Sequence, residues 1–282
     1  AEDIVDRCIE CGFCEPLCPS HRLTLSPRQR IVSVRELARR SAAGEAAGSI
    51  GDDYPYMGLD TCAGCGLCST ACPVGIDTGD LTRRLRGRNI GNTARAVNAW
   101  TGEHFATLAN ASRLGLKVGH AVSGVLGDNF LARVSGGAWK KNMPHAGKAP
   151  TPRTTQGDPV VYFPTCGSRI FGPAQAGSPQ QGDVIIEVLK RAGYAPRLPQ
   201  DFDALCCGQM LSSKGMAEEA DAMSARLEAA LLAASENGRY PVIMDASACT
   251  TRMQKFLADR LKVYDFHEFA VDALLPRLMI TR

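Results

Sequence analysis

The chain has 282 residues, 45% hydrophobic and 22% charged, enough for one large domain or two ordinary ones, which excludes disorder as its main state. Lys plus Arg number 32 against 29 Asp plus Glu, and a formal charge of +3 is too small and too scattered to indicate a nucleic-acid partner. The outlier is the count of twelve cysteines, below the density of small disulfide-stapled scaffolds but well above that of an ordinary cytosolic enzyme.

No run of apolar residues is long enough for a spanning helix. The opening Ala1-Glu2-Asp3-Ile4-Val5-Asp6 is acidic and unlike an export signal. A reducing cytoplasm is therefore expected, where thiols bind metal rather than pair as disulfides. The chain also begins without Met, close to its first cysteine run, so it is expected to be a piece of something longer.

Cys8, Cys11, Cys14 and Cys18 follow the spacing C-x2-C-x2-C-x3-C with Pro19 next, and Cys62, Cys65, Cys68 and Cys72 repeat it with Pro73. A [4Fe–4S] cube needs four thiolates at the corners of a compact box. A loop with cysteine at every third position can wrap three corners before the chain must leave. In two-cluster ferredoxins the fourth cysteine of each run ligates the other cluster. The expected quartets are thus Cys8, Cys11, Cys14 and Cys72 for one cluster, and Cys62, Cys65, Cys68 and Cys18 for the other. Gly12, Gly64 and Gly66 let the backbone turn tightly around them. A single zinc would take two separate C-x2-C knuckles instead of three cysteines crowded on one loop.

Between the runs, Ser26-Pro27-Arg28-Gln29 reads as an N-cap, a first-turn proline and a capping box. Ile31, Val34, Leu37 and Ala38 then recur at helical spacing. Arg28, Arg30, Arg35, Arg39 and Arg40 fill the remaining positions, read as a solvated face, with a docking surface for an acidic partner or anionic lipid as the alternative. Thr78 to Arg88 reads as a short helix, acidic at Asp80 and basic late. Residues 94–142 read as several helices, in which His104 and His120, with His145 just after, are expected to be ordinary histidines. The Pro-, Gly- and Thr-rich stretch 144–158 reads as a linker.

The second half changes period. Strands are expected at Pro159–Pro164, Tyr194–Leu198, Pro241–Asp245 and Leu261–Tyr264. Helices are expected around Val184–Leu189, Met216–Ser235, Thr251–Asp259 and from His267. That alternation implies a parallel α/β sheet. The residues just past the carboxyl ends of such strands share one edge, where these folds bind ligands. Cys166, Cys206-Cys207 and Cys249 fall at or near such positions. A third iron–sulfur cluster is the favoured reading; a vicinal disulfide, a redox-active thiol pair and plain buried cysteines stay open. Lys214, in the Ser213-Lys214-Gly215 stretch, is either a cation near that site or a solvated lysine. The overall expectation is α+β: an α-helical ferredoxin-like domain with two cubane sites at 1–143, a linker at 144–158, and a parallel α/β domain with a Cys-Cys-Gly motif at 159–282.

These motifs resemble the iron–sulfur region of FAD-linked D-lactate dehydrogenases, on the wording Glu10-Cys11-Gly12-Phe13-Cys14-Glu15-Pro16-Leu17-Cys18-Pro19-Ser20, Phe163-Pro164-Thr165-Cys166 and Cys206-Cys207-Gly208-Gln209. They are similar also to the iron–sulfur subunits of glycolate oxidase and anaerobic glycerol-3-phosphate dehydrogenase, and more distantly to heterodisulfide reductase. The resemblance implies part of an oxidoreductase, with FAD on another domain or a partner, a quinone or other carrier as acceptor, and peripheral contact with the inner membrane face as a further expectation. No catalytic residue and no organic-cofactor site is expected in this chain, since it has neither G-x-G-x-x-G after a strand nor a phosphate loop. It has one Cys-Cys-Gly where that family usually has two. Beside Ser247, Cys249 stands alone where heterodisulfide reductase carries an additional C-x2-C, which speaks against a non-cubane, disulfide-reducing cluster.

Overall fold

The computed structural model describes residues 3–152, 156–175 and 177–279. The chain divides into two compact units, residues 1–96 with 210–218, and residues 97–209 with 219–282.

The first unit is helical. Its elements are α1 (Asp3–Arg7), α2 (Pro27–Ala42), α3 (Gly48–Tyr54), a π-helical turn (Pro55–Asp60), α4 (Leu67–Thr70), α5 (Thr78–Arg88) and the start of α6 (Asn92–Glu103). The capping box forms as expected: Ser26 Oγ accepts from Gln29 N at 3.3 Å and Gln29 Oε1 accepts from Ser26 N at 2.8 Å. Asp77 caps α5 in the same way, accepting from Gly79 N at 2.8 Å. Ile4, Val5, Ile31, Ile76 and Leu81 form an apolar cluster joining α1, α2 and α5. Residues 210–218 return to this unit because Gly215 has no side chain: a Cβ there would lie 2.4 Å from Gly87 N.

The second unit contains α7 (Phe105–Leu126), α8 (Asp128–Val134), α9 (Cys166–Ile170), α10 (Gln181–Arg191), α11 (Gln209–Ser213, entering the first unit), α12 (Ala217–Ala234), α13 (Ser247–Leu257) and α14 (Phe266–Phe269). Four strands, β1 (Asp158–Phe163), β2 (Tyr194–Arg197), β3 (Val242–Met244) and β4 (Val263–Asp265), pair in parallel in the order β2-β1-β3-β4. Alternate residues of β1 enter two separate cores. Val161 and Phe163 join Leu227, Leu231, Met253 and Leu257, whereas Val160 and Tyr162 join Ile185, Ile186 and Leu189. Burial on both faces explains why the strands read as continuous apolar runs.

This division does not follow the expected boundary at 144–158. Helix α7 belongs to the second unit, where Arg113 forms a two-pronged ion pair with Asp203 at 2.6 and 2.8 Å. The stretch read as a linker is hydrogen-bonded along its first half: Gly147 N donates to Ile170 O at 2.8 Å, and the Gln180 side chain brackets both backbone groups of Lys148. Its residues 153–155 lie outside the described ones. The last helix also differs, being an α-turn at Phe266–Phe269 followed by π and 3-10 turns. Among the described residues, no helix is long and apolar enough to cross a membrane.

Candidate metal centres

The first cysteine run lies on a loop between α1 and α2. Glu10 and Gly12 hold φ of +58° and +83° there, folding the loop back on itself. The second run starts at the end of the π-helical turn and continues through α4, with Gly64 and Gly66 at +62° and +78°. Cys8, Cys11, Cys14 and Cys72 line one cavity. Cys18, Cys62, Cys65 and Cys68 line another of about 740 Å³. In each, three neighbours from one run meet the last cysteine of the other. The first cavity is the smaller, about 20 Å³, and Cys11 on its loop is exposed.

Arginines hold both loops by their carbonyls. Arg35 donates to Val5 O and Cys8 O, both at 2.6 Å, and pairs with Glu10. Arg86 donates to Cys62 O at 2.8 Å, and to Leu59 O and Ser213 O. The solvated-face reading of the α2 arginines is therefore corrected for Arg30 and Arg35. Arg30 is 1% exposed and lines the larger cavity. The readable signal was its position: it lies between Pro27, Ile31 and Val34, on the apolar stripe of α2. The thiols differ accordingly. Burial pushes Cys14 up to about 11 and raises Cys68. Burial would raise Cys18 too, but hydrogen bonds from Ser20 and Arg30 outweigh it and leave it lowered.

In the second unit, the strand order reverses direction between β1 and β3, the crevice where open parallel sheets take ligands. Cys166 begins α9 three residues after β1, and Cys249 lies in the first turn of α13 after β3. Cys206 and Cys207, reached through a 3-10 turn after β2, are 4% and 2% exposed. Cys206 Sγ lies 3.7 Å from Cys166 Sγ. Cys207 in turn interacts electrostatically with Cys206 and with Cys249, which places the four thiols near one another. Cys206 is drawn down by its bond to Cys166, but Cys207 and burial carry it up to about 11. Cys166 is raised, by its bond to Cys206 and then by burial. Gly208 ends the motif at φ +75°, where a Cβ would lie 2.4 Å from Ala220 O.

Sequence reasoning missed four residues that build this edge. Arg169, 1% exposed, donates to Thr165 O, Phe202 O and Leu205 O, fastening the segment before Cys206 to the start of α9. Asp245 accepts from Tyr162 Oη at 2.7 Å, Thr165 N at 2.8 Å and Ser168 Oγ at 2.6 Å, tying the ends of β1 and β3. Arg252 and Ser224 both donate to Cys207 O, at 2.7 and 2.9 Å. Lys214 is exposed. His120 stacks on His145 at 4.0 Å beside Trp139, and His104 stacks on Trp100.

None of the twelve cysteines is paired in a disulfide. Among the described residues, no three His, Cys, Asp or Glu side chains converge on a position for a single metal ion. All-thiol quartets spread around a cavity are the donor set of an iron–sulfur cube, whose corners take one thiolate each. In that respect the residues fit the group.

Residues 4–76 match the 4Fe–4S dicluster domain family, and residues 160–254 match the cysteine-rich domain family. A probable glycolate oxidase iron–sulfur subunit of Bacillus subtilis is 34% identical over 86 residues, 28% of this chain and 18% of that protein. One component of the dihydromethanophenazine:CoB–CoM heterodisulfide reductase of Methanosarcina mazei, and its counterpart in Methanosarcina acetivorans, are each 30% identical over 94 residues, 29% of this chain and 23% of the relative. The chain thus spans about a fifth of the length of these relatives. No solved structure matches the chain significantly.

Proposed function

We propose that this chain, a 4Fe–4S dicluster domain followed by a cysteine-rich domain, is the iron–sulfur electron-transfer part of an FAD-linked D-2-hydroxy acid dehydrogenase of the D-lactate type, working in the cytoplasm. The observation that carries the reading is the gathering of eight cysteines into two quartets, each completed from the other run. Bound there, iron–sulfur cubes supply one-electron redox chemistry between a reduced flavin on another domain or subunit and a quinone or other carrier. The chain's own part is to present thiolates, to fix their loops through Arg35 and Arg86, and to limit water around Cys14 and Cys68. Cys166, Cys206, Cys207 and Cys249 are proposed to hold a third cluster, with Arg169 and Asp245 setting the strand ends that carry them.

Anaerobic purification, with iron and sulfide counted and reducible centres followed by EPR, tests this. Roughly eight iron and eight sulfide per chain are expected for two cubes, more if the third site fills. Zinc as the bound metal, or no reducible centre, would sink the reading. The chain alone should bind no hydroxy acid.

A second reading follows from the Cys166–Cys206 approach of 3.7 Å together with the heterodisulfide reductase relatives: the Cys-Cys-Gly site reduces a disulfide substrate. Cys206→Ser with Cys207→Ser would then abolish disulfide turnover and leave the first unit's centres intact. Under the relay reading the same variant loses only a spectroscopic centre and its route.

A further inference from the structure

A charge buried among neutral partners is costly unless an opposite charge shares its site. Among the described residues, two arginines are essentially sealed from water, Arg30 and Arg169. Arg169 has Asp203 at 3.3 Å as counter-ion. Every described partner of Arg30 is neutral as written. Its Nε donates to Gly58 O at 2.8 Å, one terminal nitrogen to Cys18 Sγ at 3.6 Å, and the other to Ser20 Oγ at 2.9 Å and Thr61 Oγ1 at 3.3 Å. These partners are a carbonyl of the π-helical turn, the first run's last cysteine with the serine two residues after it, and the residue before Cys62. Arg30 therefore spans both edges of the larger cavity and touches the one cysteine there that comes from the other run.

We infer that Arg30 is the fixed counter-charge of the cluster held by Cys18, Cys62, Cys65 and Cys68, and that it sets this centre at a higher reduction potential than the one held by Cys8, Cys11, Cys14 and Cys72. The inference rests on the two-cluster reading above. A cube with four thiolate ligands is anionic, and reduction adds one more negative charge. A nearby fixed cation stabilises the reduced form more than the oxidised one, and an N–H donated to a ligand sulfur acts in the same direction. Among the described residues, the smaller cavity has no equivalent sealed cation. Arg28, which lines it, is a third exposed and paired with Glu15 at 3.0 Å, and Arg35 is paired with Glu10. Three described carboxylates border the larger cavity: Asp77, at 3.8 Å from Cys68 Sγ, is paired with Arg83, and Asp52 and Asp53 on its rim are exposed, where water screens them. Arg30 is a positioning residue in this scheme: it holds Cys18 and its charge biases where an electron rests.

The test uses the whole chain loaded anaerobically, with EPR-monitored redox titration of wild type, Arg30→Gln and Arg30→Lys. Wild type should show two dicluster-domain centres with distinct midpoints. Arg30→Gln should weaken reduction of one centre about tenfold or more, about 59 mV for a one-electron couple, and leave the other in place. Arg30→Lys, which keeps the charge but not the planar fork, should shift it less. If Arg30→Gln instead loses iron, loss confined to one centre and restored by Arg30→Lys supports the assignment. Two intact centres with unmoved midpoints, or iron loss from both together, overturns it. Fewer than two centres in wild type would defeat the two-cluster reading itself.

Discussion

The two cysteine-bearing units rest on different foundations. In the second, among the described residues, eleven buried residues gather on one face of the sheet and ten on the other, and Cys207 is itself a member of the first group. Its thiols are packed into a core that exists without them. Among the described residues, the apolar cluster that joins the first unit's helices is Ile4, Val5, Ile31, Ile76 and Leu81, with Cys8 and Cys72 packed against it, while Cys11 and Cys65 are exposed on their loops. A cluster of that size supplies limited stability by itself, and small domains with bound metal can draw more from it. Similar cysteine chemistry thus sits on a large core in one unit and beside a smaller apolar cluster in the other.

The largest effect should come from removing metal. Stripping iron with a chelator under oxidising conditions should open the first unit and spare the second, so hydrogen exchange would show α5 amides losing protection while β1 amides keep theirs. Equal retention in both units would break the comparison. Next in size is Arg169→Ala, which removes a sealed cation and three carbonyl anchors at once. It should cost the second unit about 3–5 kcal/mol in a urea titration, without altering the EPR centres of the first. A change in those centres would show that the two foundations are not separate.

Much of this was legible beforehand. The cysteine spacing marked three cysteines on each loop, a local requirement written in consecutive residues, and in the structure each three line a cavity with the last cysteine of the other run. The capping box at Ser26 and the helix Thr78–Arg88 were local too, and the alternation of strands and helices put Cys166 and Cys249 at one sheet edge. What escaped was set by contacts distant in sequence. Arg30 looked like one solvated arginine among five, and only its place on the Pro27–Ile31–Val34 stripe marked it. Arg169, Asp245 and Arg113 gain their meaning from partners 33 to 90 residues away, which no local pattern encodes. The stretch 144–158 misled because its composition reads as a linker, although Gln180 and Ile170 give the backbone of its first half hydrogen-bond partners.

A smaller effect is expected on acidification. The hydrogen bonds from Arg113 hold the Asp203 carboxyl below its usual range, against the opposing pull of burial. The folded value therefore lies beneath the unfolded one of about 3.9. The linked stability is present in full above that unfolded value and drains away as pH falls through the folded one. The second unit should thus lose stability in the region below about pH 4, and Asp203→Asn should flatten that slope while lowering stability at neutral pH. A wild-type melting temperature that holds constant through this window would remove Asp203 from the foundation of the second unit.

The smallest expected effect sharpens the first unit. Ser26 caps α2 and also donates to Glu15 Oε1 at 2.6 Å, so one hydroxyl links the loop between Cys14 and Cys18 to the helix that carries Arg30. Arg28 completes the link, its Nε on the same oxygen. Ser26→Ala should cost about 1 kcal/mol in the iron-loaded protein, read as a lower melting temperature of the first unit. In the stripped protein the substitution should make no difference, because the helix it caps no longer has a folded unit to stabilise. If Ser26→Ala lowers the stability of loaded and stripped protein equally, the first unit holds itself together without metal, and the contrast between the two foundations fails.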